Sequence, residues 1–150
     1  MGKMLALLDK MSDLDKIEIA SDPTTDSGVL DYLAESDCSS SMVRCCVAAN
    51  PNSPAETLKE LFEMYDGLES ILAANPSCPQ ELMVQLYEAE DTGIVPIKLV
   101  YNPSVPYWLL IHMFEYAREK DLRHYSRKMC IKKYPEKWLQ YRKEQYYYDR

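Results

Sequence analysis

The sequence predicts an all-α protein built from stacked helical repeats. A short motif that ends in a proline recurs four times, at Pro23, Pro51, Pro76 and Pro103. In three of the four copies the residue before the proline is asparagine. The prolines are 28, 25 and 27 residues apart, which is a period typical of a solenoid rather than of one globular core. Apolar residues also keep fixed distances from each proline, so every copy predicts the same pair of short helices.

The residues before each proline predict a short inner helix. A small residue stands three positions before the proline and a bulky apolar residue four positions before it. Because the residue preceding a proline is forced out of the helical region, the helix ends there. Asn50, Asn75 and Asn102 occupy that position, where an amide can hydrogen-bond the freed backbone of its own turn and of the next turn in a stack. The bulky residues are Ile19, Val47, Leu72 and Leu99.

An outer helix is predicted after each turn. Ser53 has the character of an N-cap, Pro54 of the first helical residue and Glu56 of a capping-box partner. Apolar residues follow seven and ten positions after the proline, which puts each pair on one helix face. These pairs are Leu30 and Leu33, Leu58 and Leu61, Met83 and Leu86, and Leu110 and Met113.

We expect one domain, residues 1–150, with residues 14–117 forming about four units of 25–28 residues. Residues 1–13 are the predicted N-terminal cap, and residues 118–150 are a basic, aromatic C-terminal cap. The apolar side chains expected to cover the first unit are Met4, Leu5, Leu7, Leu8 and Met11.

The degenerate last unit predicts how the stack ends. Ile131 stands in the bulky slot, whereas Lys132 and Lys133 replace small residues of the earlier units. Lysines in these slots would keep a further unit from stacking.

The stretch from Val43 to Pro54, followed by Leu58 and Leu61, resembles the variant leucine-rich repeat. The resemblance covers about residues 14–117 and implies a right-handed solenoid that alternates an α-helix with a short 3₁₀ helix. HEAT-like helical repeats are the wider class and the structural alternative, with α-helical inner segments. The resemblance places the 3₁₀ segments near 42–49, 67–74 and 94–101.

Some members of that family carry an iron–sulfur module marked by an N-terminal cysteine cluster. No cysteine precedes Cys38, so we expect no such cofactor. The five cysteines lack CxxC spacing, which predicts reduced thiols and no metal site. No apolar stretch reaches 18 residues, so we expect no membrane contact and a cytoplasmic protein.

Composition and motifs predict binding rather than catalysis. The four glycines form no phosphate-binding loop, and the two histidines stand in no catalytic pattern. Repeat stacks usually present binding surfaces. We therefore expect a non-catalytic scaffold, or a small inhibitor or adaptor, that binds a protein partner. Tyr107 and Trp108 are its candidate aromatic anchor.

The alternative function is nucleic-acid binding through the C-terminal segment, and a weaker one is a repeat enzyme that acts on nucleic acid. The net charge is −7, but residues 1–100 carry −12 and residues 101–150 carry +5. Cations interleaved with aromatic rings suit phosphates and unpaired bases, although a polar cap explains the same residues. Acidic-to-basic contact would also allow a homo-oligomer. The candidate cations are Arg123, Arg127, Lys128, Lys132, Lys133 and Lys137.

Overall fold

The computed structural model describes residues 2–37, 39–90 and 93–148. Over these residues the regular secondary structure consists of eleven α-helices, with no strand. The all-α prediction is therefore confirmed. Cys38, one of the five thiols expected to be reduced, lies outside the described residues.

The chain divides into two compact units, Met1–Leu82 and Met83–Arg150. The first unit carries 5 Lys and Arg against 15 Asp and Glu, a net charge of −10, whereas the second carries 12 against 9, a net charge of +3. The helices of the first unit are α1 (Gly2–Leu8), α2 (Asp13–Ser21), α3 (Ser27–Glu35), α4 (Ser41–Ala49), α5 (Ala55–Met64), α6 (Glu69–Ala74) and the start of α7 (Gln80–Ala89). The rest of α7 belongs to the second unit with α8 (Ile94–Tyr101), α9 (Tyr107–Tyr116), α10 (Lys120–Lys133) and α11 (Pro135–Tyr148).

Helices of the first unit alternate between two rows. The inner helices pack in sequence, α2 on α4 and α4 on α6, while the outer helices α3 and α5 pack on each other. Helix α4 also contacts both α3 and α5. In both units the apolar pairs predicted seven and ten positions after the proline are at most 1% exposed, which confirms them as core.

The inner segments are α-helices, not the 3₁₀ segments that the resemblance implies. In α4 the N–H of Arg44 bonds the carbonyl of Ser40, four residues back, and in α6 Leu72 bonds Leu68 in the same way. Bonds of the i to i−3 type occur at the ends of these helices, as where Asn50 bonds the carbonyl of Val47 at the close of α4 and Ile71 bonds that of Leu68 at the start of α6. Runs of six to nine residues favour the α-helix because its hydrogen-bond geometry is better than that of a 3₁₀ helix.

A buried asparagine joins successive turns of the first unit. The Nδ2 of Asn75 donates to the carbonyls of Ala48 and Asn50, at 2.7 and 3.0 Å, and its Oδ1 accepts from the N–H of Ser77 at 2.7 Å. Asn50 repeats the arrangement, donating to Ala20 and Asp22 at 2.8 Å each. The predicted role of these amides, bonding their own turn and the preceding one, is confirmed in this unit.

Ser53 does not cap the outer helix α5. Pro54, not Ser53, is the N-cap of α5, and it has no side-chain cap bond. The Ser53 hydroxyl is buried and donates to the carbonyl of Val47 at 2.6 Å, so it satisfies the end of the inner helix instead. The capping-box prediction was therefore wrong, and Glu56 pairs with Lys59 at 3.1 Å.

The residues predicted to form an N-terminal cap bury few of their apolar side chains. Of its apolar residues only Leu8 is buried, while Met4, Leu7 and Met11 are exposed. Helix α1 spans only Gly2–Leu8, so one side chain in two turns reaches the core.

We expect Asn75→Ala to lower the free energy of unfolding by about 3 kcal/mol. The Ala48 carbonyl and the Ser77 N–H lose the partner that Asn75 provides, and the Asn50 carbonyl keeps only its bond from the Ser53 N–H. Urea denaturation followed by circular dichroism measures this. Asn52→Ala is the matched control, since the Asn52 amide makes one exposed bond to Thr25 and its loss should cost less than about 1 kcal/mol. Equal losses would contradict the special role of the buried amide.

Candidate functional site

The residues predicted to bind a partner do not form one surface. Tyr107 and Trp108 are neighbours on α9, and consecutive helical residues point about 100° apart. Trp108 lines one groove of the second unit and Tyr107 another. The two rings therefore do not form the single aromatic anchor that was predicted.

Trp108 stands at an open groove of about 460 Å³. It is 48% exposed and forms a row with His112 and Tyr116, because residues four apart share a helix face. Tyr87 from α7 supplies a buried wall, with its ring edge-on to that of His112 at 5.8 Å. The other lining residues are Val84, Glu88, Leu109 and Arg118. We call this the Trp108 groove.

Trp108 departs from the repeat pattern. It stands five positions after Pro103, and the same position of the earlier repeats holds Gly28, Glu56 and Glu81. Glu56 and Glu81 are exposed and share Lys59, whose Nζ lies 3.1 and 2.9 Å from their oxygens. A slot that is otherwise solvated thus carries a large apolar ring. Aligning the slots of the repeat would have revealed this from the sequence, as would the spacing of the α9 row.

Tyr107 and Lys137 belong to the packing of α11. The Tyr107 hydroxyl donates to the carbonyl of Lys137 at 3.1 Å, and the Lys137 Nζ lies 5.6 Å from the Tyr107 ring centre. Trp138 is buried and stacks on the half-buried Tyr141, with the ring centres 5.4 Å apart. Partial burial, and then a 2.7 Å hydrogen bond to Glu115, raise the pKa of Tyr141.

The Lys133 side chain bonds the backbone of the turn at Pro103. Its Nζ donates to the carbonyls of Pro103 and Asn102, at 2.8 and 3.3 Å, and partial burial lowers its pKa. Its bond to the Asn102 carbonyl matches the bond of Asn75 to the Asn50 carbonyl, and its bond to the Pro103 carbonyl matches that of the Ser77 hydroxyl to the Pro51 carbonyl.

The buried position predicted for the last, degenerate repeat was wrong. Ile131, assigned to the buried slot, is 44% exposed, and Cys130 is fully buried in its place. Helix α10 turns Leu122, Ser126 and Cys130 inward, a row with a spacing of four that continues through all of its 14 residues. Burial raises the pKa of the Cys130 thiol to about 11.

The remaining candidate cations lie along α10. Arg123 is half-buried, whereas Arg127, Lys128 and Lys132 are exposed. None of these four forms an ion pair with a residue that the structure describes. Thus Lys133 and Lys137 make internal contacts, whereas the four cations on α10 have no ion pair within the described part of the chain.

Three carboxylates in the first unit could share a cation. Oxygens of Asp31, Glu35 and Glu60 lie within 4.8 Å of one another, and oxygen ligands suit Mg²⁺ or Ca²⁺. Partial desolvation, and then the charges of Glu35 and Asp31, raise the pKa of Glu60. No sequence pattern predicts this cluster, because its members come from two different helices, α3 and α5.

Comparison of the chain with protein-family models, curated proteins and solved structures gives no match. None of the described helices combines the length and apolar character needed to cross a bilayer.

We expect Glu60→Gln to raise the thermal midpoint at pH 7. A carboxyl with a raised pKa stabilises the fold below its ordinary value of 4.5, and that stability is lost as the pH rises through the folded pKa. The gain from glutamine should therefore shrink toward pH 4. Differential scanning fluorimetry from pH 4 to 7 measures it, with Glu63→Gln on the same helix as a control for net charge. A gain that does not depend on pH, or an equal gain in the control, would contradict the like-charge explanation.

Proposed function

We propose that this protein is a non-catalytic helical-repeat module that binds another polypeptide, as a scaffold, an adaptor or a small inhibitor. The repeating unit supports a solenoid of about four units, related to variant leucine-rich or HEAT-like repeats. The two rows of helices and the buried asparagines of the first unit support that assignment. The α-helical inner segments favour the HEAT-like class.

The observation that carries the proposal is the exposed ring of Trp108 in its groove. Interfaces concentrate their binding energy in tryptophan, tyrosine and arginine side chains that partners desolvate. The Trp108 groove contains all three types, Trp108, Tyr116 and Arg118 among them. In every earlier repeat the equivalent position holds glycine or glutamate, so stacking of the repeats does not require an aromatic ring here.

The groove suits a protruding apolar side chain of a partner. Tyr87 and Leu109 give it a buried, apolar floor, while Glu88 and Arg118 add charged groups. A partner side chain placed there would cover the exposed half of Trp108 and remove water from both surfaces. Polar groups around such an apolar centre give an interface its specificity.

We expect Trp108→Glu, which restores the residue of the earlier repeats, to weaken partner binding at least about 30-fold, since truncated hot spots cost 2 kcal/mol or more. The measurement is a nuclease-treated pull-down from host lysate, followed by titration of the recovered partner. Folding should persist because the slot already accepts glutamate twice.

The matched control is Leu139→Glu, which places the same charge on another exposed apolar residue, on α11 and outside the Trp108 groove. It should leave the recovered partner unchanged. If both variants retain the partner, or both lose it equally, the Trp108 groove is not the binding site. Recovery that vanishes with nuclease would count against a protein partner.

A further inference from the structure

A second surface of the Met83–Arg150 unit combines exposed rings with lysines. Helix α8 packs on α10, and the rings of Tyr101 and Tyr125 meet with their centres 5.9 Å apart. The ring of His124 lies 5.8 Å from that of Tyr125. Tyr101 is 49% exposed and Tyr125 half-buried. A pair of rings thus faces solvent where the two helices meet.

Helical spacing places three lysines beside this ring pair. Lys98 precedes Tyr101 by three residues on α8, Lys128 follows Tyr125 by three, and Lys132 follows Lys128 by four. Residues three or four apart on a helix are surface neighbours. We name the set Lys98, Tyr101, His124, Tyr125, Lys128 and Lys132 the α8–α10 surface.

The lysines of the α8–α10 surface are exposed and take part in no ion pair among the described residues. They differ in this from Lys133 and Lys137, which make internal contacts. Asp121 also lies on this side of α10, so the surface carries three lysines and one aspartate. The surface therefore has positive charge that the described fold does not neutralise.

We propose that the α8–α10 surface binds single-stranded nucleic acid, with the lysines on phosphates and the tyrosine rings against unpaired bases. Cations that follow a phosphate backbone, together with rings that stack on bases, are the two requirements of such a site. An acidic peptide would use the lysines but has no base for the rings. A duplex keeps its bases stacked within the helix, so the rings favour a single strand.

The charge of the molecule limits the extent of the site. The Met83–Arg150 unit has a net charge of +3, whereas Met1–Leu82 has −10 and repels a polyanion. Binding of a short segment, confined to the second unit, is what these charges allow.

The test is fluorescence anisotropy with the full chain and a fluorescein-labelled oligothymidylate of about 12 nucleotides, at salt concentrations from about 50 to 200 mM. We expect affinity to fall as salt rises. Lys128→Glu with Lys132→Glu should weaken binding at least about tenfold, and Tyr101→Ala about fivefold or more. Tyr101→Phe keeps the ring and should keep the affinity.

The matched control is Arg142→Glu with Lys143→Glu, which makes the same change of charge at two exposed positions on α11. It should shift the affinity less than about threefold, because these residues lie outside the site. Circular dichroism checks that each variant stays helical. Trp108→Glu should leave oligonucleotide binding unchanged, so this test is independent of the Trp108 groove.

Three results would overturn the proposal. One is absence of binding at the lowest salt concentration. Another is an equal loss in the two double variants or in Trp108→Glu, which would indicate non-specific attraction or a different site. The third is a loss with the lysine variants but none with Tyr101→Ala, together with equal affinity for poly-glutamate, which would identify an acidic protein segment as the ligand.

Discussion

The interaction on which the first unit depends is the hydrogen bonding of a buried asparagine amide just before a proline. The proline ends the inner helix and leaves carbonyls that cannot continue the helical pattern. Burying such groups without partners costs several kcal/mol in total. Asn75 meets the need with two donated bonds and one accepted bond, at 2% exposure. Because its donors reach the preceding turn, the same residue ends one helix and fixes the spacing to the previous one.

In the second unit the Asn102 amide oxygen accepts from the Ser104 N–H of its own turn, as Asn75 does from Ser77, but a lysine bonds the carbonyl that corresponds to that of Asn50. Lys133 donates to the carbonyls of Asn102 and Pro103, and α10 is turned so that Cys130 rather than Ile131 is buried. With Cys130 facing inward, Lys128 and Lys132 are exposed beside Tyr125. Thus Lys133 bonds backbone within the fold, whereas Lys128 and Lys132 face solvent.

A repeat of this kind separates fixed positions from free ones. The inward slots of the outer helices hold leucine or methionine in every unit and are almost fully buried. The slot five residues after the proline is at least partly exposed in each copy, so it accommodates glycine, glutamate and tryptophan. Trp108 lies at such a free position, and Tyr87 from α7 gives the groove a wall that α9 alone could not supply. Binding residues can change at free positions without disturbing the core.

The sequence by itself determined the helical class, the proline-terminated inner helices, the buried apolar pairs and the bonding role of Asn50 and Asn75, because each follows from a local rule of backbone or periodicity. The tertiary structure decided what depends on distant partners. It separated Tyr107 from Trp108, turned the Ser53 hydroxyl toward Val47 and rotated α10. It also brought Glu60 next to Glu35. Helical spacing determines which residues share a face of a helix. Which other helix packs on that face depends on contacts between segments that are far apart in the chain.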